Sequence, residues 1–386
     1  MKLFRAVALF ALLPTLSFSQ SNDLIDLEFG TLETFDVATW NIEWFPKNGF
    51  TTINYVAQIL DEMELDVIAI QEIDSDADFQ LMLNAMQGYD GFFQEGDNES
   101  LGYIYNVQSV TVNEVYDIFD GSQYGNPFPR PPMVMKCTFM DGTEYTLINN
   151  HFKCCGNGVL DEDDTWDEET RRAYASELLK DYMDFHFADD NLIMLGDLND
   201  LLTDAPSNNV FQVYFDDPDN YRFADMEIAE GPATQWSFPS WPSHLDHILI
   251  SNELFPALEN ESSVVATIQV DDFFPGGFSG YDNNVSDHLP VAFQFNPSTT
   301  LSASDEIRES ALVIFPNPNE GLLSFQSNEK IHRIELSDAL GRTVLRFENP
   351  QSNGLSLPST LKNGMYTVNV VFDRNQALAK KLILQR

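Results

Sequence analysis

Basic residues are what this chain has least of: 20 Lys and Arg stand against 61 Asp and Glu in 386 residues. The shortage is uneven. Residues 305–386 carry nine acids and ten bases, so from Gln20 to Ser304 there are 52 acids and only eight bases. A surface that acidic repels phosphate polymers at long range, which weighs against a tight DNA binder working by counterion release. It leaves room for an enzyme that meets phosphate through bound cations, and it suits solubility in a saline medium. Cysteine is scarce too. Cys137, Cys154 and Cys155 make an odd count of three, without the regular ligand spacing of a zinc site. A Cys154–Cys155 bridge stiffening the turn after His151, with Cys137 a buried thiol, is one alternative; free thiols are the other. Long apolar runs are missing as well. The stretch from Ala6 to Leu16 is about half the ~20 residues needed to span a bilayer, and no later one comes closer.

That first apolar run follows Lys2 and Arg5 and closes on Ser17, Phe18 and Ser19. Such a pattern predicts a secretory signal peptide over residues 1–19 and a mature protein that is soluble outside the cytoplasm. The remaining length exceeds one compact core, so at least two folding units are expected. Residues 298–310 lack hydrophobic periodicity and read as a linker between a domain at 20–297 and another at 311–386. In the second, short alternating runs such as Leu322 to Phe325, Ile334 to Leu336, Thr343 to Phe347 and Tyr366 to Val371 are broken by Asn, Gly and Pro. That rhythm predicts a small β-sandwich. In the first, Ile53 to Met63 and Thr170 to Phe187 have helical spacing. Asp141-Gly142 between two strand-like runs predicts a tight hairpin.

Four apolar runs in the first domain each end in polar residues: Val37 to Trp40 before Asn41, Val67 to Ile70 before Gln71-Glu72, Leu147-Ile148 before Asn149-Asn150-His151, and Leu192 to Leu195 before Gly196-Asp197. Continuous runs of that length predict strands buried on both faces. Two later strands reverse the order, Asp246 leading His247 to Ile250 and Asp287-His288 leading Leu289 to Phe295. In a mixed sheet, strand ends and antiparallel strand starts share one border, so all six clusters can converge. Carboxylates from Glu72, Asp197, Asp246 and Asp287 on one border are costly unless a cation or proton joins them. A hard divalent ion suits the oxygen ligands, magnesium first and manganese or calcium as alternatives, and the histidines offer proton transfer near neutral pH. Metal, imidazole and carboxylate together make phosphodiester-hydrolysing machinery.

Thr39-Trp40-Asn41-Ile42-Glu43, Gln71-Glu72, Asn150-His151, Gly196-Asp197-Leu198-Asn199-Asp200, Leu245-Asp246-His247 and Ser286-Asp287-His288-Leu289-Pro290 resemble, in order, the motif series of the endonuclease/exonuclease/phosphatase superfamily. The resemblance covers roughly residues 34–297 and implies a four-layer α/β sandwich, two packed sheets flanked by helices. It implies Glu72 as principal metal ligand, helped by Asn41, Glu43 and Asp287. Asp197 would orient or deprotonate the attacking water while Asn199 holds a phosphate oxygen. Asp246 would fix the tautomer of His288, which acts at the phosphate, and His151 would protonate the leaving oxygen. No clear carboxylate to pair with His151 appears between Glu99 and Asn106. Phe315-Pro316-Asn317-Pro318, Leu340-Gly341-Arg342, Gly364-Met365-Tyr366 and the Lys380-Lys381-Leu382 terminus resemble the type IX secretion sorting domain of Bacteroidetes, which implies the secretion machinery as a partner and a secreted or surface-attached product. A monomer is expected.

Other residues read differently. Lys153, two positions after His151, is a candidate phosphate contact. Arg171 and Arg172 reach substrate or pair with Glu168 and Glu169 along their helix. His186, His244, His247 and His332 are read as structural hydrogen-bonding residues. Asp161 to Glu169 holds seven acids in nine residues, but Trp166 occupies the position where a calcium loop needs Gly, which favours a solvated loop. The favoured function is an extracellular nuclease. A sphingomyelinase-like or other lipid or small-molecule phosphoesterase is the rival, the lipid reading being favoured if Gln235 to Trp241 or Asp272 to Phe278 forms an exposed aromatic loop; a non-catalytic adhesin is the alternative from another class.

Overall fold

The computed structural model describes residues 27–94, 99–297, 312–319, 321–327, 331–337, 342–348, 354–372 and 377–386. The expected signal peptide and linker lie outside these. The chain divides into two compact units, one up to Thr299 and one from Thr300.

The described residues of the first unit form twelve strands: β1 (Phe35–Phe45), β2 (Val67–Ile73), β3 (Tyr89–Phe93), β4 (Ser100–Asn106), β5 (Val110–Asp117), β6 (Met133–Phe139), β7 (Glu144–His151), β8 (Leu192–Asp197), β9 (Tyr221–Phe223), β10 (Asp246–Ser251), β11 (Val264–Thr267) and β12 (Val291–Phe295). They form two six-stranded sheets, ordered β11-β12-β1-β2-β4-β3 and β5-β6-β7-β8-β10-β9. Strand alternation divides the core three ways. From β1, Phe35 and Val37 enter the space between the sheets with Val67, Leu147, Leu195, Ile248 and Phe293. Ala38, Trp40 and Ile42 face the other way, against helix α1 (Phe50–Met63) and helix α2 (Asp76–Ala85). On the far side, Ile148, Met194 and Leu249 pack against Leu179 and Met183 of helix α3 (Glu168–His186). Two central sheets between helical layers give the expected four-layer sandwich.

Register decides where the polar ends lie. β1 and β2 run parallel with Asn41 beside Gln71; β7 and β8 run parallel with His151 beside Asp197. β10 is antiparallel to β8 and sets Asp246 against Asp197. Chain ends of four strands and the starts of β10 and β12 therefore meet on one border. The two sheets are tied there by Asn149, which donates to the Ile70 and Gly102 carbonyls and accepts from Gln71 at 2.7 Å. The predicted hairpin joins β6 to β7, with Gly142 at φ 93°.

Helix α3 starts earlier than its periodicity suggests because Asp167 caps it, accepting the Thr170 amide at 2.9 Å. Helix α2 escapes periodicity altogether: only Phe79, Met82 and Leu83 are buried, and its start is marked by the Ser75 cap.

The second unit holds a three-stranded sheet of β13 (Leu312–Phe315), β14 (Leu322–Ser327) and β17 (Gly354–Ser356), and a four-stranded one of β16 (Thr343–Glu348), β15 (Ile331–Ser337), β18 (Gly364–Phe372) and β19 (Ala377–Leu384). Its own core gathers Leu323, Phe325, Ile334, Leu336, Val368, Val370 and Leu382. The Pro-Asn-Pro turn is held to the last strand by Asn317, whose side chain donates to the Lys381 carbonyl at 2.7 Å and accepts the Ile383 amide at 2.8 Å.

Candidate active site

Asp197, at the end of β8, is the hub of the border. Its Oδ2 accepts the Asn41 amide at 2.9 Å and lies 3.5 Å from Nε2 of His151 and 3.7 Å from Nε2 of His288. The other hydrogen of the Asn41 amide goes to Glu72 Oε1 at 2.9 Å, while the Asn41 oxygen accepts the Glu43 amide at 2.9 Å. Asn41 thus orients Glu72, Glu43 and Asp197 together. Glu72 and Glu43 sit in the left-handed backbone region, at φ 64° and 37°, where each strand breaks its extended run and turns its carboxylate to the border. Glu72 Oε2 accepts the Trp44 amide at 3.1 Å. Glu43 pairs with Lys47 and accepts the Asp287 amide at 2.8 Å.

His288 donates from Nδ1 to Asp246 Oδ2 at 2.8 Å, and its Nε2 lies 3.9 Å from Asp287. Burial disfavours its charge, but Asp246 and Asp197 outweigh burial and hold His288 well above the ordinary imidazole range. His151 goes the opposite way, pushed well below that range by burial and by Arg130, His288 and Lys153. Its Nδ1 has no hydrogen-bond partner among the described residues, in line with the carboxylate missing from the sequence. Burial, aided by Asp246 and against the His288 charge, pushes Asp197 up to about 7. Burial also raises Asp287 and Glu43. Burial and crowding disfavour charge on Asp197, Asp287 and Glu43; a hard divalent cation would relieve that cost, and Glu72, Glu43 and Asp287 would offer oxygens to it. Ligand atoms of Glu72, His151 and Asp197 lie within 4.8 Å of one another.

Asn199 adopts φ 55°; its amide hydrogen goes to Asp197 Oδ1 at 3.1 Å and its side chain to the Phe152 carbonyl at 3.3 Å. Lys153 is not drawn into the carboxylates: Nζ donates to the Cys154 carbonyl at 3.1 Å. Arg171 donates to the Asn126 carbonyl. Arg172 is buried, bonded to Asp200 at 2.8 Å and 3.5 Å from Glu169, so it braces the scaffold. Glu169 leaves the acidic loop to accept the Gly158 amide. Cys154 and Cys155 are free thiols with sulfurs 3.0 Å apart, and Cys137 is buried.

Nothing in the sequence marks Arg130. It precedes β6, pairs with Glu99, and feels the charges of Glu72 and Asp197, so it brings a cation within electrostatic reach of the site. Its signal is only its rarity among eight bases. Two aromatic features also matter. The Phe238 ring lies tilted against His288 with ring centroids 4.8 Å apart, and Trp44 and Trp241 are 55% and 80% exposed. Phe274 is buried, and Phe273 and Phe278 pack on the α1 side of the core, so Asp272 to Phe278 is no exposed aromatic loop.

A family model described as Endonuclease/Exonuclease/phosphatase family matches residues 38–288, and one described as Secretion system C-terminal sorting domain matches residues 313–385. A comparison with curated proteins finds no match. Among solved structures, TDP2 of D. rerio complexed with a single-strand DNA product is 15% identical, with a TM-score of 0.52 over 68% of this chain and 99% of that one. The human Nocturnin catalytic domain is 16% identical, with a TM-score of 0.48 over 68% and 93%. The mannosyl-6-phosphatase Bt3783 of Bacteroides thetaiotaomicron is 16% identical, with a TM-score of 0.47 over 68% and 99%.

Proposed function

Because this chain belongs to the endonuclease/exonuclease/phosphatase family, whose members are hydrolases of phosphoester bonds, we propose that it is a secreted, magnesium-dependent phosphodiesterase acting on nucleic acid. One observation carries the reading: Nε2 of His151 and Nε2 of His288 lie 3.5 and 3.7 Å from one carboxylate oxygen of Asp197. Asp197 is poised to take a proton from attacking water near neutral pH. His288, kept cationic by Asp246, binds a non-bridging phosphate oxygen as charge develops there. Asn199, with one side-chain amide hydrogen beyond the one given to the Phe152 carbonyl, adds a donor, while Asn41 orients the carboxylates. His151 faces the leaving oxygen; burial, with the Arg130 charge, keeps it neutral, and an arriving phosphodiester anion offsets that charge and so favours its protonation. Glu72, Glu43 and Asp287 would hold a divalent cation, which would supply Lewis-acid stabilisation of the charge developing on the phosphate.

Nucleic acid is favoured over lipid because Trp44 and Trp241 expose indoles suited to stacking on bases, while Asp272 to Phe278 packs its aromatic rings on the core. TDP2 of D. rerio, which shares the fold, holds a single-strand DNA product. The C-terminal sorting domain directs the enzyme to the cell surface or beyond. Activity on plasmid DNA, RNA, sphingomyelin and a generic phosphodiester, with and without EDTA, tests the reading. Nucleic acid should be cut, EDTA should stop the reaction, and Glu72→Ala should lower turnover about a thousandfold or more with the fold intact. Undiminished turnover by that variant would exclude this site.

A further inference from the structure

Beneath the site lies a fully buried group that the mechanism above leaves idle: Asp225, His244 and His247. Its protons can be counted from its partners. His247 Nε2 faces the Asp200 carbonyl at 2.9 Å, and a carbonyl only accepts, so Nε2 carries hydrogen. His244 Nδ1 receives the Ser237 amide at 3.3 Å, so its hydrogen is on Nε2, which donates to Asp225 Oδ2 at 3.0 Å. The same Oδ2 meets His247 Nδ1 at 2.6 Å, and Asp225 Oδ1 accepts the Ile248 amide at 2.9 Å. One more proton must therefore lie between Asp225 and His247. Burial lowers the affinity of His247 for it, but Asp225 outweighs burial and leaves the group above its ordinary range, while the two imidazoles hold Asp225 far below its own. Contacts this short leave no room for a metal at nitrogen distances of about 2.0 Å.

We propose that His247 is a resident imidazolium that pins the Asp200 carbonyl and so holds the Asp197-to-Asp200 turn in its working shape. The inference rests on the reading of Asp197 and Asn199 given above, because those residues lie in the turn that runs into the pinned peptide. Asn199 has φ 55°, a conformation a non-glycine residue keeps only when its surroundings impose it. They do so from two sides: His247 holds the Asp200 backbone and Arg172 holds the Asp200 side chain at 2.8 Å. The rings of Phe211 and Phe223, 5.7 and 5.9 Å from His247, wall it off. Asp225, at the far end, neutralises the charge. His247 touches no substrate; it is a positioning residue.

The test begins with nitrogen-15 NMR of the intact protein labelled at its six histidines, at about pH 8.5, where an unperturbed imidazole is neutral. The signal that disappears in His247→Gln should show both ring nitrogens protonated. A His247 nitrogen in the unprotonated range overturns the proposal. In the folded His247→Gln and Asp225→Asn variants, kcat should fall about tenfold or more with KM within about twofold, the mark of misplaced groups. Unchanged kcat in a folded variant overturns the positioning role. An imidazolium in a wild-type protein that cleaves no phosphodiester would instead remove the reading of the site above it.

Discussion

The pairing of Asp246 with His288 shows how one side chain sets the chemistry of another. Asp246 Oδ2 takes the Nδ1 hydrogen at 2.8 Å, and Asp246 Oδ1 has no partner among the described residues, so its charge is directed mainly at this imidazole. In Asp246→Asn that charge is gone, and the His288 pKa, now raised by Asp246 and Asp197, must fall. Loss of the protonated form then begins at lower pH, so the alkaline limb of the kcat/KM profile shifts down and the plateau drops about 10²- to 10⁴-fold. An unshifted alkaline limb would remove Asp246 from this role. Such pairs are legible in sequence when each partner ends or begins an apolar run, as Asp197, Asp246 and Asp287-His288 do, because burial of the strand on both faces leaves the polar residue only the border to occupy. Arg130 and Glu99 were not legible. Their pairing joins the start of one strand to a loop 31 positions earlier, and no periodicity records it. Lys153 was legible as a cation near His151 but not in its aim, since the adjacent Cys154 carbonyl captures its ammonium.

At the scale of elements, the site depends on how closely β7 approaches β8. Gly196 pairs with Asn150 in this parallel ladder at φ 151°, and a Cβ there would stand 2.0 Å from the Asn150 carbonyl oxygen. The neighbour is backbone and cannot swing aside. Gly196→Ala should therefore cost about 3 kcal/mol or more and misplace His151 against Asp197, read as a lower denaturation midpoint together with lost turnover; a midpoint like that of the wild type would show that the ladder yields. Elsewhere in the sandwich, Asp66 just before β2 accepts the Asp36 amide at 2.9 Å and the Ser109 hydroxyl. Burial pushes Asp66 up to about 7 and Asp36 up to about 6. Both are raised above the unfolded value, so their contribution is fully present below about pH 4 and is lost as pH rises through the folded pKa values. An amide at 66 can serve the same two partners without charge. Asp66→Asn should gain on the order of 2 kcal/mol at pH 8 and nothing near pH 4, measured by urea unfolding at each pH. A gain equal at both would exclude a titrating Asp66. The strands carrying these residues were legible from their apolar runs; α2 was not, because three buried side chains make too weak a stripe.

For the whole molecule, charge is the property that separates this enzyme from a binder of nucleic acid. Eight bases against 52 acids from Gln20 to Ser304 give a surface that repels a polyanion at every approach. The bases described in the site's vicinity are already engaged: Lys47 with Glu43, Arg172 with Asp200, Arg130 with Glu99. Attraction is therefore confined to the short range of the charged imidazole and the bound cation, while the long-range field opposes encounter. Raising ionic strength from about 10 to about 150 mM shortens the screening length from about 30 to about 8 Å. That weakens the repulsion and leaves the close contacts nearly unchanged. With the divalent ion held saturating, kcat/KM on a polynucleotide should rise severalfold over this range, while a small phosphodiester of single charge should move little. A basic nuclease, losing the counterions it releases, changes in the opposite sense. Falling kcat/KM on the polynucleotide would mean that substrate reaches the site along a cationic path, and the excess of acid would then have no part in how this enzyme meets its substrate.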